Sequence, residues 1–278
     1  MARADPRNTS RYWHAPGLPG VDLLQADFTT HDYAPHVHDS FVVAATEVGG
    51  SEFTSRGRTD TAHPQALLVF NPAEPHSGRM GGSARWRYRS LYLAASGLDD
   101  VLGLLGLDQP RYFTSNVVHD ADLIANFLAL HRALDNEPDP LLHRELLARS
   151  FGTLLQRHGH AAQRLPGRST DSHALALAPV LELMHDCHAQ PLTLEQLAAV
   201  AGLTPFQLIV AFKRSLGLTP HAQLTQLRLR AAIRRLQAGQ PIVDAALASG
   251  FYDQSALNKH FKRSFGLTPL QYVRARAA

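Results

Sequence analysis

The order of apolar and polar residues divides the chain into a front part with the pattern of strands and a back part with the pattern of helices. Between residues 18 and 94, four short runs with strand character fall at 41–47, 52–58, 66–70 and 86–93. Turn residues, including Gly49-Gly50 and Gly81-Gly82, separate these runs. Several short strands at this spacing predict a sandwich or a barrel.

Two amphipathic helices are predicted after the strands, at residues 120–134 and 141–158. Each places apolar residues on one stripe, and Pro138 and Pro140 break the pattern between them. The two helices are therefore expected to form a hairpin. The stripes permit two interpretations, packing against the barrel or a dimerisation surface, and the sequence leaves both open. The stripe residues are Leu123, Phe127, Leu130 and Leu134, then Leu142, Leu146, Phe151 and Leu155.

Residues 160–173 have no apolar periodicity and contain Gly, Pro and Ser, which predicts a linker. Everything after this segment has helical periodicity. The predicted organisation is a barrel domain at residues 1–159, the linker at 160–173, and a helical domain at 174–278.

The helical domain repeats itself. Residues 212–220 read FKRSLGLTP and residues 261–269 read FKRSFGLTP, which is eight identities in nine at an offset of 49. Residues 194–202 match residues 242–250 at an offset of 48, so one extra residue falls in the turn of the second copy. An internal repeat is the strongest signal of architecture that a single sequence offers.

Each copy has the signals of two short helices joined by a tight turn. In the first copy, Thr193 and Gln196 predict a capping box at the start of a helix that Gly202 ends. Thr204 and Pro205 predict the start of the next helix. This order is the helix-turn-helix pattern, and a longer helix is predicted to connect the two copies.

Charge distinguishes the two parts of the chain. Residues 1–171 carry 16 Lys and Arg against 19 Asp and Glu, whereas residues 172–278 carry 11 against 5. The basic back part favours contact with a polyanion, although a solvated basic face would have the same composition. The 278 residues fit about two domains, and the single cysteine, Cys187, indicates a reducing cytoplasm. No apolar run approaches the ~18 residues of a membrane span.

The motifs of the helical domain resemble those of the AraC/XylS family of bacterial regulators. The resemblance covers about residues 174–278 and rests on L-x-x-L-A-x-x-A-G, on both F-K-R-x-x-G-L-T-P segments, and on the stretch from Gly250-Phe251 to Tyr272. It implies two units that enter adjacent major grooves of double-stranded DNA, in an activator that helps to recruit RNA polymerase. The expected fold class is α+β, a barrel with a helical hairpin followed by an all-α domain.

The expected DNA contacts fall into two groups. Cations near the end of the second helix of each copy are predicted to bind phosphates, although a solvated helix end would carry the same residues. The second copy also offers polar side chains suited to base edges. The first copy exposes mainly Phe206, Ile209 and Val210, and is expected to be the weaker reader or to contact something else. The predicted contacts are Gln207, Val210, Lys213, Arg214, Gln254, Ser255, Asn258, Lys259, Lys262 and Arg263.

A weaker resemblance to the cupin barrel covers about residues 20–95 and rests on His36-Val-His38, Glu47 and His76. In cupin enzymes two histidines, a glutamate and a later histidine bind a metal, and such a set could hold Fe²⁺, Mn²⁺, Ni²⁺ or Zn²⁺. The spacing from His38 to Glu47 is looser than in those enzymes, so we expect no metal, no cofactor and no catalytic residue. AraC-type regulators commonly use this barrel for an organic effector, and the four residues are expected to line its pocket.

Residues 85–92 place aromatic or small residues on one strand face and three arginines on the other, which predicts one aromatic face: the first set is Trp86, Tyr88, Ser90 and Tyr92, and the second is Arg85, Arg87 and Arg89. Trp86 and Tyr88 on this face either line the effector pocket or belong to the barrel core, and the sequence leaves both interpretations open.

These features predict a one-component regulator without enzymatic activity, with an effector in the barrel, a homodimer through the hairpin, and DNA at the helical domain. An alternative is a metal-dependent cupin enzyme fused to a DNA-binding module. A third class, DNA-repair proteins that accept alkyl groups and carry the same helix-turn-helix pair, requires a reactive thiolate. Cys187 lies within a predicted helix, which argues against that class.

Overall fold

The computed structural model describes residues 7–136, 139–161 and 172–277. They form two compact units, one built mainly on two β-sheets and the other on helices. The predicted linker lies largely outside the described residues, since only its ends, at 160–161 and 172–173, are among them. The expected α+β class is confirmed.

Twelve strands lie within the described residues. In chain order they are β1 (Thr9–His14), β2 (Val21–Phe28), β3 (Asp32–His36), β4 (Phe41–Gly49), β5 (Ser51–Ser55), β6 (Arg58–Ala62), β7 (Leu67–Phe70), β8 (His76–Arg79), β9 (Trp86–Leu93), β10 (Arg111–Phe113), β11 (Val117–Val118) and β12 (Gly159–Ala161). The large sheet has the order β1-β2-β9-β4-β7-β11, the small sheet has the order β3-β8-β5-β6, and β10 pairs with β12.

All four predicted strands are present, but the run at 52–58 is two strands rather than one. Arg56 and Gly57 have φ angles of 52° and 74°, and they close a hairpin between β5 and β6. Two successive residues with positive φ are the conformation that a two-residue hairpin turn requires. The run is mostly polar on both sides of this turn, so its pattern did not reveal the break.

The large sheet has two different faces because its side chains alternate. Residues such as Val43 and Leu91 face three helices and form the main core with them. Residues such as Val42, with Phe53 and Phe70, form a smaller cluster between the two sheets. The second face is therefore the interior of the barrel.

The covering helices are α1 (Ala95–Leu105), α2 (Ala121–Asn136) and α3 (Pro140–His158). The predicted hairpin is confirmed as α2 and α3, and Asp139 caps α3 by accepting hydrogen bonds from the Leu141 and Leu142 amides. Leu146 and Phe151 lie in the main core, so both stripes pack against the sheet and each other. Of the two interpretations, packing accounts for these side chains.

The helical unit contains α4 (Ser172–Asp186), α5 (Leu194–Val200), α6 (Pro205–Leu216), α7 (Pro220–Gln237), α8 (Ile242–Ala248), α9 (Gln254–Phe265) and α10 (Pro269–Ala277). The capping box of Thr193 and Gln196 is confirmed. Apolar residues of α4 and α5 pack with Leu208 and Phe212 of α6. The extra residue of the second copy lies in the turn between α8 and α9, as the two offsets predicted.

Within the described residues, no single helix is long and apolar enough to cross a membrane. The bent pair of α5 and α6 meets the length and composition criteria only when the two helices are taken together, and they meet at 76°.

Candidate nucleic-acid interface and ligand pocket

Helix α6 presents a largely apolar face to solvent. Phe206 is 74% exposed and Val210 is 38% exposed, whereas Leu208 and Phe212 are buried in the core. Gln207 forms a second capping box, because its Oε1 accepts a hydrogen bond from the Thr204 amide at 2.9 Å. The Oε1 atom of Gln207 is therefore engaged at the start of the helix, while the residue itself is exposed.

Helix α9 presents a polar face instead. Asp253 caps this helix by accepting a hydrogen bond from the Ala256 amide at 2.6 Å, so no glutamine is needed for the cap. Ser255 and Lys259 are exposed, and Gln254 and Asn258 are half-buried along the same helix. These side chains can donate to and accept from base edges. The predicted difference between the two helices is therefore present in their outward faces.

Basic residues lie in the last turn of both helices. Lys213, Arg214 and Arg263 are exposed, and Lys262 is half-buried. Cations at this end of a helix also interact favourably with its dipole, so their position has a structural benefit as well. The long side chains can reach a phosphate beside either helix.

Arg228 of the connecting helix α7 has a structural contact. It donates hydrogen bonds to the carbonyl oxygens of His188 at 2.8 Å and Gln190 at 3.1 Å, in the loop after α4. The same loop lies against Gly250 in the turn before α9, where an added Cβ would come within 2.8 Å of the His188 carbonyl oxygen. Arg228 and Gly250 therefore hold one loop against both the connecting helix and the second copy.

The barrel interior carries aromatic rings on the inward face of β9. Trp86 and Tyr88 stack with their centroids 4.3 Å apart, and the Trp86 indole donates a hydrogen bond to the Thr46 hydroxyl at 3.2 Å. Further along the same face, the Tyr92 ring lies 5.1 Å from the ring of His38. Ala44 and Ser90 are paired across β4 and β9 between these two groups of rings. Two small residues thus separate the aromatic groups.

Three of the four predicted pocket residues of the cupin resemblance come together. The ring nitrogens of His36, His38 and His76 lie within 4.8 Å of one another. His76 also stacks on Phe70 with centroids 4.1 Å apart, and burial lowers its pKa below the ordinary value for histidine. The His76 ring is therefore neutral at neutral pH.

Glu47 does not join the histidines, which corrects its predicted place in the pocket. Its carboxylate lies on the helix-covered side of β4, 3.2 Å from Arg89 and 3.3 Å from Arg132 of α2. Alternation along β4 explains this position, because Ala44 and Thr46 point inward and the next residue points outward. The period of two, counted from the apolar residues of β4, could have shown this from the sequence.

Glu74 is a buried carboxylate that the sequence analysis did not single out. It accepts hydrogen bonds from Arg56 at 2.6 Å and 2.9 Å, from Ser55 at 2.7 Å and from Asn116 at 2.6 Å. Burial alone would raise the pKa of Glu74, but these hydrogen bonds and the Arg56 charge hold it below its ordinary value. Its backbone carbonyl accepts a hydrogen bond from His76 Nδ1 at 2.9 Å. Glu74 thus fixes the loop that orients His76.

The three histidines match a transition metal in ligand type. A backbone carbonyl accepts from Nδ1 of His76 and, in the same way, from Nδ1 of His36, where Ala34 is the acceptor at 2.7 Å. Such bonds orient metal-bound histidines in general. Arginines engage the one carboxylate that the cupin resemblance would add, Glu47. The set that remains offers three imidazoles and no anionic ligand.

Two protein families match the chain, each over a different part. The AraC-like ligand-binding domain matches residues 18–151. A helix-turn-helix domain family matches residues 197–275. The two matches follow the division between the barrel with its hairpin and the helical unit.

Curated relatives and solved structures agree with this division. The chain is 28% identical to the uncharacterised HTH-type transcriptional regulator YbfI of Bacillus subtilis over 221 residues, which are 79% of each chain. It is 35% identical to the regulatory protein ada of Salmonella typhimurium over 82 residues, only 30% of this chain and 23% of that protein. The apo ToxT K231A structure from Vibrio cholerae has a similar fold, with a TM-score of 0.52 at 11% identity over 92% of this chain and 97% of that one.

The repeat, the two helix-turn-helix units and the barrel agree with these matches. Both halves of the chain match the parts of one type of regulator, and the similarity to YbfI spans both halves. The chain belongs to the AraC/XylS family of transcriptional regulators, with an effector-binding barrel domain and a DNA-binding domain of two helix-turn-helix units.

Proposed function

We propose that the protein is a homodimeric activator that acts in the cytoplasm, where a small organic effector in the barrel controls its contact with DNA and RNA polymerase. The observation that carries the proposal of DNA binding is the repeated helix-turn-helix unit, in which α6 and α9 each end in a Lys-Arg pair. Two such helices in one helical unit suit two adjacent major grooves.

The proposed DNA contacts are of two kinds: contacts to phosphates, which position the protein, and contacts to base edges, which recognise the sequence. Lys213 and Arg214 on α6, and Lys262 and Arg263 on α9, bind phosphates and set the orientation of the protein. Their position in the last helical turn supports this role, as does the exposure of Lys213, Arg214 and Arg263. Asn258 on α9 reads base edges, with Gln254, Ser255 and Lys259 beside it.

The test compares single variants of the full chain on duplexes selected by the protein from a random pool. Lys262→Ala should weaken binding to every sequence and lower the slope of log K against log salt by about one unit, because one phosphate contact is lost. Asn258→Ala should instead relax the preference at one base pair by about 1–3 kcal/mol. Arg79→Ala is the matched control, since it removes an exposed barrel arginine outside the interface. Equal salt slopes in Lys262→Ala and the wild type would contradict the proposal.

The interior of the barrel supports a flat, mainly apolar effector with one or two hydrogen-bonding atoms. Aromatic rings lie on both sides of Ala44 and Ser90, and the imidazoles of His38 and His76 offer hydrogen bonds. A few convergent polar groups among apolar ones are typical of small-molecule sites. A ToxT structure is described as bound to an unsaturated fatty acid, which supports a largely apolar ligand here as well.

Thermal-shift screening of metabolites tests this pocket. An effector at 100 times its Kd should stabilise the barrel unit by about 2.7 kcal/mol. Ala44→Leu should abolish the shift by filling the space between the two aromatic groups, while binding to DNA without effector persists. Ala238→Leu is the control, because this residue is exposed in the helical unit. A shift that survives in Ala44→Leu would place the effector elsewhere.

We propose a regulator rather than an enzyme. The alternative of a metal-dependent enzyme would require a metal on His36, His38 and His76 without the carboxylate that the cupin resemblance adds, since Arg89 engages Glu47.

Dimerisation through the hairpin remains part of the proposal, but its surface must be the outward face of α3. Leu146 and Phe151 are buried in the main core, so they cannot form the dimer contact. Leu141, at the start of α3, is 77% exposed and is the large apolar side chain available on that helix among the described residues.

A further inference from the structure

We infer that α6 recognises the 5-methyl groups of thymines through Phe206 and Val210. This inference rests on the proposed placement of α6 in a major groove, and it assigns to that helix the apolar feature of a base pair rather than a hydrogen-bonding edge. The ligand chemistry is the methyl group of a 5-methylpyrimidine in duplex DNA.

The repeat identifies the two positions. At the offset of 49, Phe206 corresponds to Ser255 and Val210 corresponds to Lys259 on α9. All four are exposed. The same two outward positions are thus polar in one copy and apolar in the other, while the core positions and the basic final turn are shared.

The apolar pair is not covered by its own unit. Phe206 is 74% exposed and Val210 is 38% exposed, and they lie four residues apart, which places them next to each other on one face of the helix. An isolated exposed apolar residue needs no explanation, but this pair occupies the surface through which α6 would meet base pairs.

Polar alternatives on the same surface are limited. The Gln207 side chain is engaged in the capping box with Thr204, and the basic pair Lys213-Arg214 lies at the far end of the helix. The thymine methyl is the apolar group that base pairs display in the major groove. Phe206 and Val210 are therefore matched to thymine, and a cytosine at the same position lacks the group they would contact.

The experiment uses the full-length protein and duplexes recovered by selection from a random pool. Deoxyuridine replaces thymine in one half of the site at a time, which removes only the methyl groups and keeps every hydrogen bond of the base pairs. For the wild type, replacement in one half should weaken binding by about fourfold for each contacted methyl, as expected for losing one buried methyl group. Phe206→Ala and Val210→Ala should each bind the thymine and deoxyuridine duplexes with a smaller ratio than the wild type.

Two further variants serve as controls. Phe206→Leu keeps an apolar side chain and should retain the preference for thymine, whereas Arg79→Ala changes an exposed residue of the barrel unit and should leave that preference unchanged. Both phenylalanine variants alter an exposed residue, so circular dichroism should show the same thermal midpoint as the wild type.

Equal binding of the wild type to thymine and deoxyuridine duplexes would overturn the inference and would leave the apolar pair as a surface for a protein partner. An undiminished ratio in both alanine variants would overturn it as well. Lys262→Ala distinguishes failure of this inference from failure of the proposed function. A lower salt slope in that variant would support DNA binding by the helical unit even where the thymine inference fails. An unchanged slope indicates that the helical unit does not bind DNA as proposed.

Discussion

His131 provides a sharp test of the packing between α2 and the large sheet. Its side chain is fully buried, its Nε2 donates to the Leu24 carbonyl oxygen at 3.3 Å, and its Nδ1 accepts from Arg89 at 3.2 Å. The ring also meets the Trp13 ring edge-on at 5.3 Å. Burial, and then the charge of Arg89, lower the pKa of His131 from 6.5 to about 4. The folded protein therefore holds this imidazole in the neutral form.

The sign and size of the effect follow from proton linkage. Below pH 6.5 the unfolded chain binds a proton at this histidine that the folded chain binds only near pH 4, so stability falls as the pH decreases through this window. A difference of about 2.5 pKa units corresponds to roughly 3 kcal/mol in full, and about 2 kcal/mol should be lost between pH 7.5 and pH 5. This is a large fraction of the stability of a typical domain.

The measurement compares the wild type with His131→Gln by urea unfolding at several pH values. Glutamine can accept from Arg89 and donate to the Leu24 carbonyl, but it does not titrate, so the difference between the two proteins isolates His131. Tryptophan fluorescence reports on the barrel unit alone, because both tryptophans, Trp13 and Trp86, lie in it. The advantage of the wild type over the variant should shrink by about 2 kcal/mol from pH 7.5 to pH 5. A constant difference would refute the inference of a neutral, buried His131.

Three other predictions concern the barrel unit and its hairpin. The purified protein should carry no stoichiometric metal, and chelator should leave DNA binding intact; about one metal per chain, lost in His38→Ala, would favour the metal-dependent alternative. Leu141→Asp should give folded monomers in sedimentation experiments, and a dimer that persists would place the interface elsewhere. Glu74→Gln should lower the free energy of unfolding in urea by about 3–5 kcal/mol, because it leaves the Arg56 charge without its buried partner. Glu52→Gln breaks an exposed ion pair and should lower this free energy by at most about 1 kcal/mol. Equal costs for these two variants would show that Glu74 does not clamp the loop.

The helical unit was predictable because its signals are local and occur twice. A capping box, a glycine after a helix and a proline at its first turn each act within a few residues, so Thr193, Gly217 and Pro220 mark the helix ends in the sequence as they do in the structure. The repeat then supplied an independent comparison. The same comparison showed that α6 and α9 differ outwardly while their cores agree.

The barrel was less predictable because its interactions join residues far apart in the chain. The carboxylate of Glu74 accepts hydrogen bonds from β5, from the turn after it and from Asn116. No short-range sequence pattern predicts such a cluster. Glu47 was assigned from the resemblance to the cupin motif, although the face of β4 decides what it contacts. The turn at Arg56 was hidden for a similar reason, since a hairpin of polar residues resembles one continuous strand.

The loop that contacts Arg228 and Gly250 joins the packing of α6 to that of α9. This loop follows α4, which packs on α6, and it lies against the turn that begins α9. If α6 and α9 enter adjacent grooves as proposed, we expect binding to depend on helical phase: one inserted base pair moves the second half of a site by about 3.4 Å and rotates it around the duplex axis. A helical unit with a flexible hinge between α6 and α9 could follow that change. This helical unit should instead keep its contact with one half of the site and lose its contact with the other half.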